Sequence, residues 1–260
     1  MLVNVIKIGG NVIDNPQKIE EFLSKFSALS GYKILIHGGG KIATKVAEQL
    51  GVKTVMVEGR RITDEPMRDV VTMVYGGLVN KQIVAKLQSK NCNAIGLTGA
   101  DGNSILAEKR KVGAIDYGYV GDVRKVNAEF IKTLLEAGVT PVFAPLTYDK
   151  EGNILNTNAD TQASSVAVAV SKDFKVNLIY CFEKKGVLSD ASDDNSVISR
   201  LNPELYEKYK QEGVIYEGMI PKLDNAFSAI QNGVNQVIIC HADELFDAVE
   251  LGTAGTSIVI

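Results

Sequence analysis

Cysteine is scarce in this sequence, and its placement excludes more than its number does. Cys92, Cys181 and Cys240 are widely spaced, odd in count and form no CxxC pair, so neither a disulfide framework nor a zinc site is indicated. Histidine is scarcer, with only His37 and His241, too few for a histidine-rich metal centre. Excess charge is missing too. A formal net charge of −3 excludes a nucleic-acid protein that relies on a basic face. Any anionic ligand must therefore be captured by a few placed cations. No apolar run approaches the roughly 20 residues that span a bilayer. The start, MLVNVIKIGG, lacks the apolar run and cleavage site of a signal peptide. The expectation is a cytoplasmic protein with no membrane and no nucleic-acid partner. Low-complexity linkers and internal repeats are absent as well.

What is present is an ordinary globular balance: 260 residues, 45% hydrophobic and 23% charged, enough for one large domain or two fused lobes. Short β-rich runs over 2–8, 33–36, 94–97, 141–144, 176–181, 236–240 and 257–260 alternate with helical patterns. Most of these runs are almost continuously apolar, as in strands covered on both faces of a parallel sheet. Ile19, Phe22, Leu23, Phe26 and Leu29 keep helical spacing, and so do Leu223, Ala226, Phe227 and Ile230. Thr63 and Asp64 are N-cap residues for a long helical stretch running to about residue 90, with Gly76-Gly77 as a bend. Glycines at 113, 118 and 121 suggest hairpins over 104–123. The pattern predicts an α/β fold with a parallel core. A soft boundary at 171–175 divides it into an N-lobe, 1–172, and a C-lobe, 173–260.

Five constellations carry chemistry. Lys7-Ile8-Gly9-Gly10-Asn11 ends the first strand, where ligands of open α/β sheets bind, and its glycines allow backbone N–H groups to approach a phosphate. His37-Gly38-Gly39-Gly40-Lys41 again runs from strand to helix. A tight turn needs one or two glycines, so a third points to close ligand approach at the positive end of a helix dipole. His37 reads as a structural hydrogen-bonder and Lys41 as solvated. Neither cluster is GxxxxGK[ST] or GxGxxG, which excludes a Walker-type ATPase and a standard dinucleotide dehydrogenase. Arg60-Arg61 precedes a helix, where one fork can hold a carboxylate bidentately; alone, a solvated pair is the simpler explanation. Asn156-Thr157-Asn158-Ala159-Asp160 leads into a small apolar helix, with Asn158 and Asp160 also explicable as cap and first-turn charge. In Gly218-Met219-Ile220-Pro221-Lys222, Pro221 suits a first helical turn. That leaves Lys222 at the wrong end of the dipole unless an anion compensates.

Taken in order, KIGG, HGGG, GRRIT, NTNAD and GMIPK resemble the amino acid kinase family, in its branch acting on N-acylated glutamate, from Lys7 to Gly255-Thr256. The resemblance implies a three-layer α/β/α sandwich with a mainly parallel central sheet. It also implies an N-lobe for the acyl amino acid and dimerisation, and a C-lobe for ATP. Lys7 and Lys222 would flank the transferring phosphoryl group, with Asp160 holding both. Gly39, Gly40, Arg61 and Asn156 would bind N-acyl-L-glutamate. Gly9, Gly10, Glu183, Gly186, Leu188 and Gly218 would serve the nucleotide. Magnesium would ride on the ATP phosphates, with no protein metal cluster, and no catalytic histidine is required. One segment departs from the family's Ser/Thr-Asp-Val: Cys181-Phe182-Glu183-Lys184-Lys185, where Glu183 replaces the aspartate. The absent long N-terminal helix implies an arginine-insensitive homodimer. N-acetyl is the default acyl group; N-succinyl, another acceptor on the same fold, and a non-catalytic amino acid or nucleotide sensor are the alternatives. Together these imply an ATP-dependent kinase of a step in arginine biosynthesis.

Overall fold

The computed structural model describes residues 1–57, 59–190, 192–215 and 219–260. At its centre is an eight-stranded sheet, largely parallel, whose middle strands are Lys175–Phe182, Leu2–Ile8, Tyr32–His37 and Thr140–Phe143, in that spatial order. These strands read as continuous apolar runs because both faces are covered. Ile6, Ile8, Ile179 and Cys181 pack into one core layer, while Val3, Val5, Leu178 and Tyr180 pack into the other. The sequence-predicted three-layer α/β/α architecture is the one observed. Thr256–Ile258 runs antiparallel to Gln236–His241, and the edge strand Arg200–Leu201 runs in the same direction as Thr256–Ile258.

The first strand is flanked by its sequence neighbour on one side and by a strand from far along the chain on the other. Leu2–Ile8 pairs with Tyr32–His37 on one side and with Lys175–Phe182 on the other. The strand order reverses between Leu2–Ile8 and Lys175–Phe182, and such a switch point opens a crevice at the strands' carboxyl ends. Lys7 and Phe182 stand on the two lips of that crevice. Below it, the buried amides of Asn4 and Asn177 link adjacent strands, and the exposed Asn235 carries the link into the turn beyond. The Asn177 Nδ2 donates to Asn4 Oδ1 at 3.4 Å, and the Asn235 Nδ2 donates to Asn177 Oδ1 at 2.9 Å.

The helical stretch after Arg61 forms, but Asp64 alone caps it, accepting from the Met67 N–H at 3.0 Å. Thr63 instead bridges to Gly118. The expected bend at Gly76-Gly77 is a run of widened turns over Thr72–Val79 between Glu65–Val71 and Asn80–Gln88. The predicted hairpin is Ile105–Lys109 against Gly121–Val126. It joins Leu146–Tyr148 and Ile154–Asn156 in a second, four-stranded sheet, which carries Asn156 towards the crevice. Among the described residues, no helix is long and apolar enough to cross a membrane.

Candidate active site

Both glycine loops close on the crevice. Gly38 N–H donates to the Ile8 carbonyl at 3.2 Å and Gly9 N–H to the Cys181 carbonyl at 3.3 Å. These bonds tie the loops to each other and to the neighbouring strand. A Cβ on Gly10 would lie 4.0 Å from the Gly40 nitrogen, so the two loops run side by side. Gly10 and Gly40 begin the helices Gly10–Ile13 and Gly40–Gln49, and first-turn N–H groups have no partner within their own helix. Gly39 has φ +146°, and a Cβ there would stand 3.2 Å from the Tyr75 ring. The positive φ favours glycine, and a methyl group would also make the ring give by a few tenths of an ångström.

Lys7 and Asp160 meet at 2.8 Å between Nζ and Oδ1, both largely buried. Asp160 is presented by the helix Ala159–Val170, where Asn158 caps the first turn by accepting from the Asp160 and Thr161 N–H groups at 2.9 and 3.0 Å. Lys222 enters from the first turn of Ile220–Gln231. Burial lowers its pKa below the ordinary lysine value; Asp160 opposes that shift and Lys7 reinforces it. One carboxylate thus faces two cations.

Two cavities meet here. One, of about 560 Å³, is lined by Lys7, Gly9, Gly10, Glu183, Gly186 and Lys222 among others; the second, of about 540 Å³, includes Gly39, Arg61, Asn156, Asp160 and Lys222. Gly40 and Lys222 line both. The arrangement is a two-chamber site with cations and first-turn amides at the seam, suited to moving a phosphoryl group from one chamber to the other. A larger hollow of about 800 Å³ beside Thr256–Ile258 has, among the described residues, Arg200 as its only ionisable side chain.

Arg61 is buried in the second chamber's wall. It donates to the Gly40 carbonyl and to Thr44 Oγ1, both at 2.9 Å. Asn156 Nδ2 donates to Thr63 Oγ1 at 3.1 Å. Gly186 packs so tightly that a Cβ would sit 2.6 Å from Thr256 Oγ1. Leu188 pairs with Val197 and is set outside the first chamber's lining, while Gly218 lies outside the described residues. His37 is fully buried and engaged at both nitrogens, with the Gly38 carbonyl at 2.7 Å and the Asn80 amide at 3.1 Å. Burial lowers its pKa to about 4, leaving a neutral structural ring. Asp14, under the first glycine loop, has both carboxylate oxygens buried without a hydrogen-bond partner. Burial raises its pKa, and Lys41 opposes the shift.

Sequence reasoning missed Tyr75, Thr44 and Arg110, and it gave Phe182 no role. Tyr75 and Arg110 line the second chamber. An isolated tyrosine in an apolar helix carries no local signal; only the facing Gly39 makes it recognisable.

The family model for the amino acid kinase family matches residues 3–241. The chain belongs to that family. Among curated relatives of this amino acid kinase, the acetylglutamate kinase of Cytophaga hutchinsonii is 58% identical over 257 residues, covering 98% of this chain and 97% of that one. The acetylglutamate kinase of Parabacteroides distasonis is 54% identical, covering 93% and 94%. A crystal structure from Streptococcus mutans superposes with a TM-score of 0.79 at 29% identity, covering 99% of this chain and 98% of that one. Amino acid kinases are phosphotransferases.

Proposed function

We propose that this chain transfers the γ-phosphoryl group of ATP to the side-chain carboxylate of an N-acyl-L-glutamate, N-acetyl by default, as a step of arginine biosynthesis. The observation that carries this reading is the seam, where Lys7, Asp160 and Lys222 converge between two chambers. A sensor could bind its ligands without that trio. The acetyl group is supported by relatives that are named acetylglutamate kinases and match over almost their whole length.

The γ-carboxylate has a pKa near 4.3, so it is already the nucleophile at neutral pH and needs no base. Its oxygen forms the new bond to the γ-phosphorus as the bond to the β-bridging oxygen breaks, giving ADP and an acyl phosphate. The barrier lies in bringing an anion to a polyanion, and fixed cations and amides lower it. In this reading Lys7 and Lys222 hold the equatorial and bridging charge. Asp160 keeps the ammonium groups on the transfer line, and Gly10 and Gly40 present amides. Arg61 and Asn156 hold the amino acid's main-chain end, while Gly9, Glu183, Gly186, Leu188 and Gly218 border or approach the nucleotide. Magnesium fits as a companion of the ATP phosphates. Among the described residues no three His, Cys, Asp or Glu side chains gather to hold a metal, and Asp160 is engaged by Lys7.

The lobes of this reading are 1–172 for the acyl amino acid and dimerisation and 173–260 for ATP, with both chambers drawing residues from each. A cytoplasmic homodimer completes the proposal. It is supported by exposed Met73 and Leu78 on the widened helix and Ile95 on the sheet's edge strand. Incubation with ATP, Mg²⁺ and N-acetylglutamate should yield an acyl phosphate trapped by hydroxylamine. Free glutamate should be much poorer, because its ammonium would meet a site built for an amide. Equal turnover of free glutamate would overturn the acylglutamate assignment.

A further inference from the structure

Two ammonium groups converge on one aromatic ring. The Lys222 Nζ lies 3.9 Å from the centroid of the Phe182 ring and the Lys7 Nζ lies 4.8 Å from it, both inside the ~6 Å reach of cation–π attraction. Strand pairing dictates the approach. Lys7 stands opposite Tyr180 in the parallel register, and period-two alternation puts Lys7, Tyr180 and Phe182 on one face. The ring is braced from below: it stacks on Tyr180 at 6.1 Å and 14°, and the Tyr180 hydroxyl donates to the Asp160 carbonyl at 3.2 Å. Lys7, Asp160, Tyr180, Phe182 and Lys222 therefore form one connected group.

The two lysines are held differently. Lys7 has the Asp160 carboxylate at 2.8 Å. Among the described residues, no carboxylate lies within ion-pair distance of Lys222, and the ring is its close partner. Around it stand Lys7 from the first strand, Asp160 from the small-residue helix, and Glu183 and Lys184 from the following loop. Lys41 and Arg61 face it across the two chambers. In this partly desolvated place, two like charges must stay together before any phosphate arrives.

We infer that Phe182 is a positioning residue, whose ring face parks the Lys222 ammonium, and less closely that of Lys7, at the seam until a phosphoryl group takes them over. This deepens the kinase reading and rests on it. A carboxylate at 182 would hold the lysines more tightly, but it would compete with phosphoryl oxygens and repel ATP. An aliphatic side chain would give no attraction at all. A ring attracts a cation weakly, without net charge, so the ammonium can exchange ring for phosphoryl oxygen at little loss.

The test replaces Phe182 with 4-fluoro-, 3,5-difluoro- and 3,4,5-trifluorophenylalanine, which drain the ring face of negative potential while nearly preserving shape. Phe182→Leu is the full deletion. The expected result is a stepwise fall in kcat with each fluorination, reaching about 3- to 30-fold for Phe182→Leu. The unfolding midpoint of the fluorinated proteins and the KM for acylglutamate should be unchanged. A second readout needs no catalysis: the pH midpoint for acetylation of Lys222 by acetic anhydride in the unliganded protein, followed by peptide mass spectrometry. It should move downward along the same series, because a weaker ring favours the neutral amine. A flat kcat series or an unmoved Lys222 midpoint overturns the inference. A chain without kinase activity would instead overturn the functional reading, leaving the acetylation midpoints to decide the ring's role.

Discussion

Arg61 donates to the carbonyl of Gly40 at 2.9 Å, and Gly40 borders both chambers. The residue proposed to grip the amino acid thus also braces the loop that would face the phosphate. Lysine keeps the charge but loses the planar fork, and a hydrogen bond to a charged group is worth about 1.5–3 kcal/mol. Arg61→Lys should therefore raise the KM for acylglutamate by roughly 10- to 100-fold. The KM for ATP should change by less than about 3-fold. Steady-state kinetics with each substrate varied check this, and a matching loss for ATP would show that Arg61 serves the wrong chamber.

Lys7→Ala and Lys222→Ala should each lower kcat on the order of 10²–10³-fold, the usual effect of removing one donor to developing charge. Asp160→Ala should lower it as well, by freeing the ammonium groups to drift. Because the three act as a unit, the double variant should lose far less than the product of the single losses. Binding of acylglutamate, followed by calorimetry, should survive in Lys222→Ala. Normal turnover without Lys222 would remove the centre of the mechanism.

His37 should leave its mark on stability rather than rate. It is buried and neutral, with a folded pKa of about 4 against an unfolded value near 6.5. Between those values the unfolded chain binds the extra proton, so stability rises with pH there and is lost as pH falls from about 6.5 towards 4. The full effect is on the order of 3 kcal/mol. Urea unfolding at pH 5 and pH 7 should capture about 2 kcal/mol of it, and a His37→Gln control should flatten this part of the dependence. An unchanged pH dependence in that control would place the titration elsewhere.

Gly39→Ala should be damaging out of proportion to one methyl group. The backbone there has φ +146°, and the new Cβ would press 3.2 Å from the Tyr75 ring. Strain of about 1–3 kcal/mol is expected, together with a raised KM for the amino acid as Tyr75 yields. Thermal unfolding and kinetics on the one variant test both effects.

The parallel core was legible because its signal is local: the central strands are apolar runs, and Leu2–Ile8 and Tyr32–His37 end directly at glycine. Lys7 could be singled out since a cation inside such a run is anomalous. The pairing of Lys7 with Asp160, 153 positions away, had no local signal and came only through the family resemblance. The strands Leu146–Tyr148 and Ile154–Asn156 were missed because three residues cannot establish a period. Thr63 looked like a cap equal to Asp64, and tertiary pairing with Gly118 decided between them. Phe182 was invisible for the plainest reason. A phenylalanine at a strand end reads as core, and the two lysines that reach it arrive from elsewhere in the chain.

The linked amides of Asn4, Asn177 and Asn235, the first two buried, give the enzyme a ruler. A one-residue slip between Leu2–Ile8 and Lys175–Phe182 would strand polar amides in an apolar layer and turn every side chain to the opposite face. Asn4 lies three residues before Lys7, about 10 Å along the strand. The height at which the ammonium meets the carboxylate and the ring is therefore calibrated well below the crevice, by residues that no substrate touches. Substituting Asn177 would perturb phosphoryl transfer from a distance, through alignment alone.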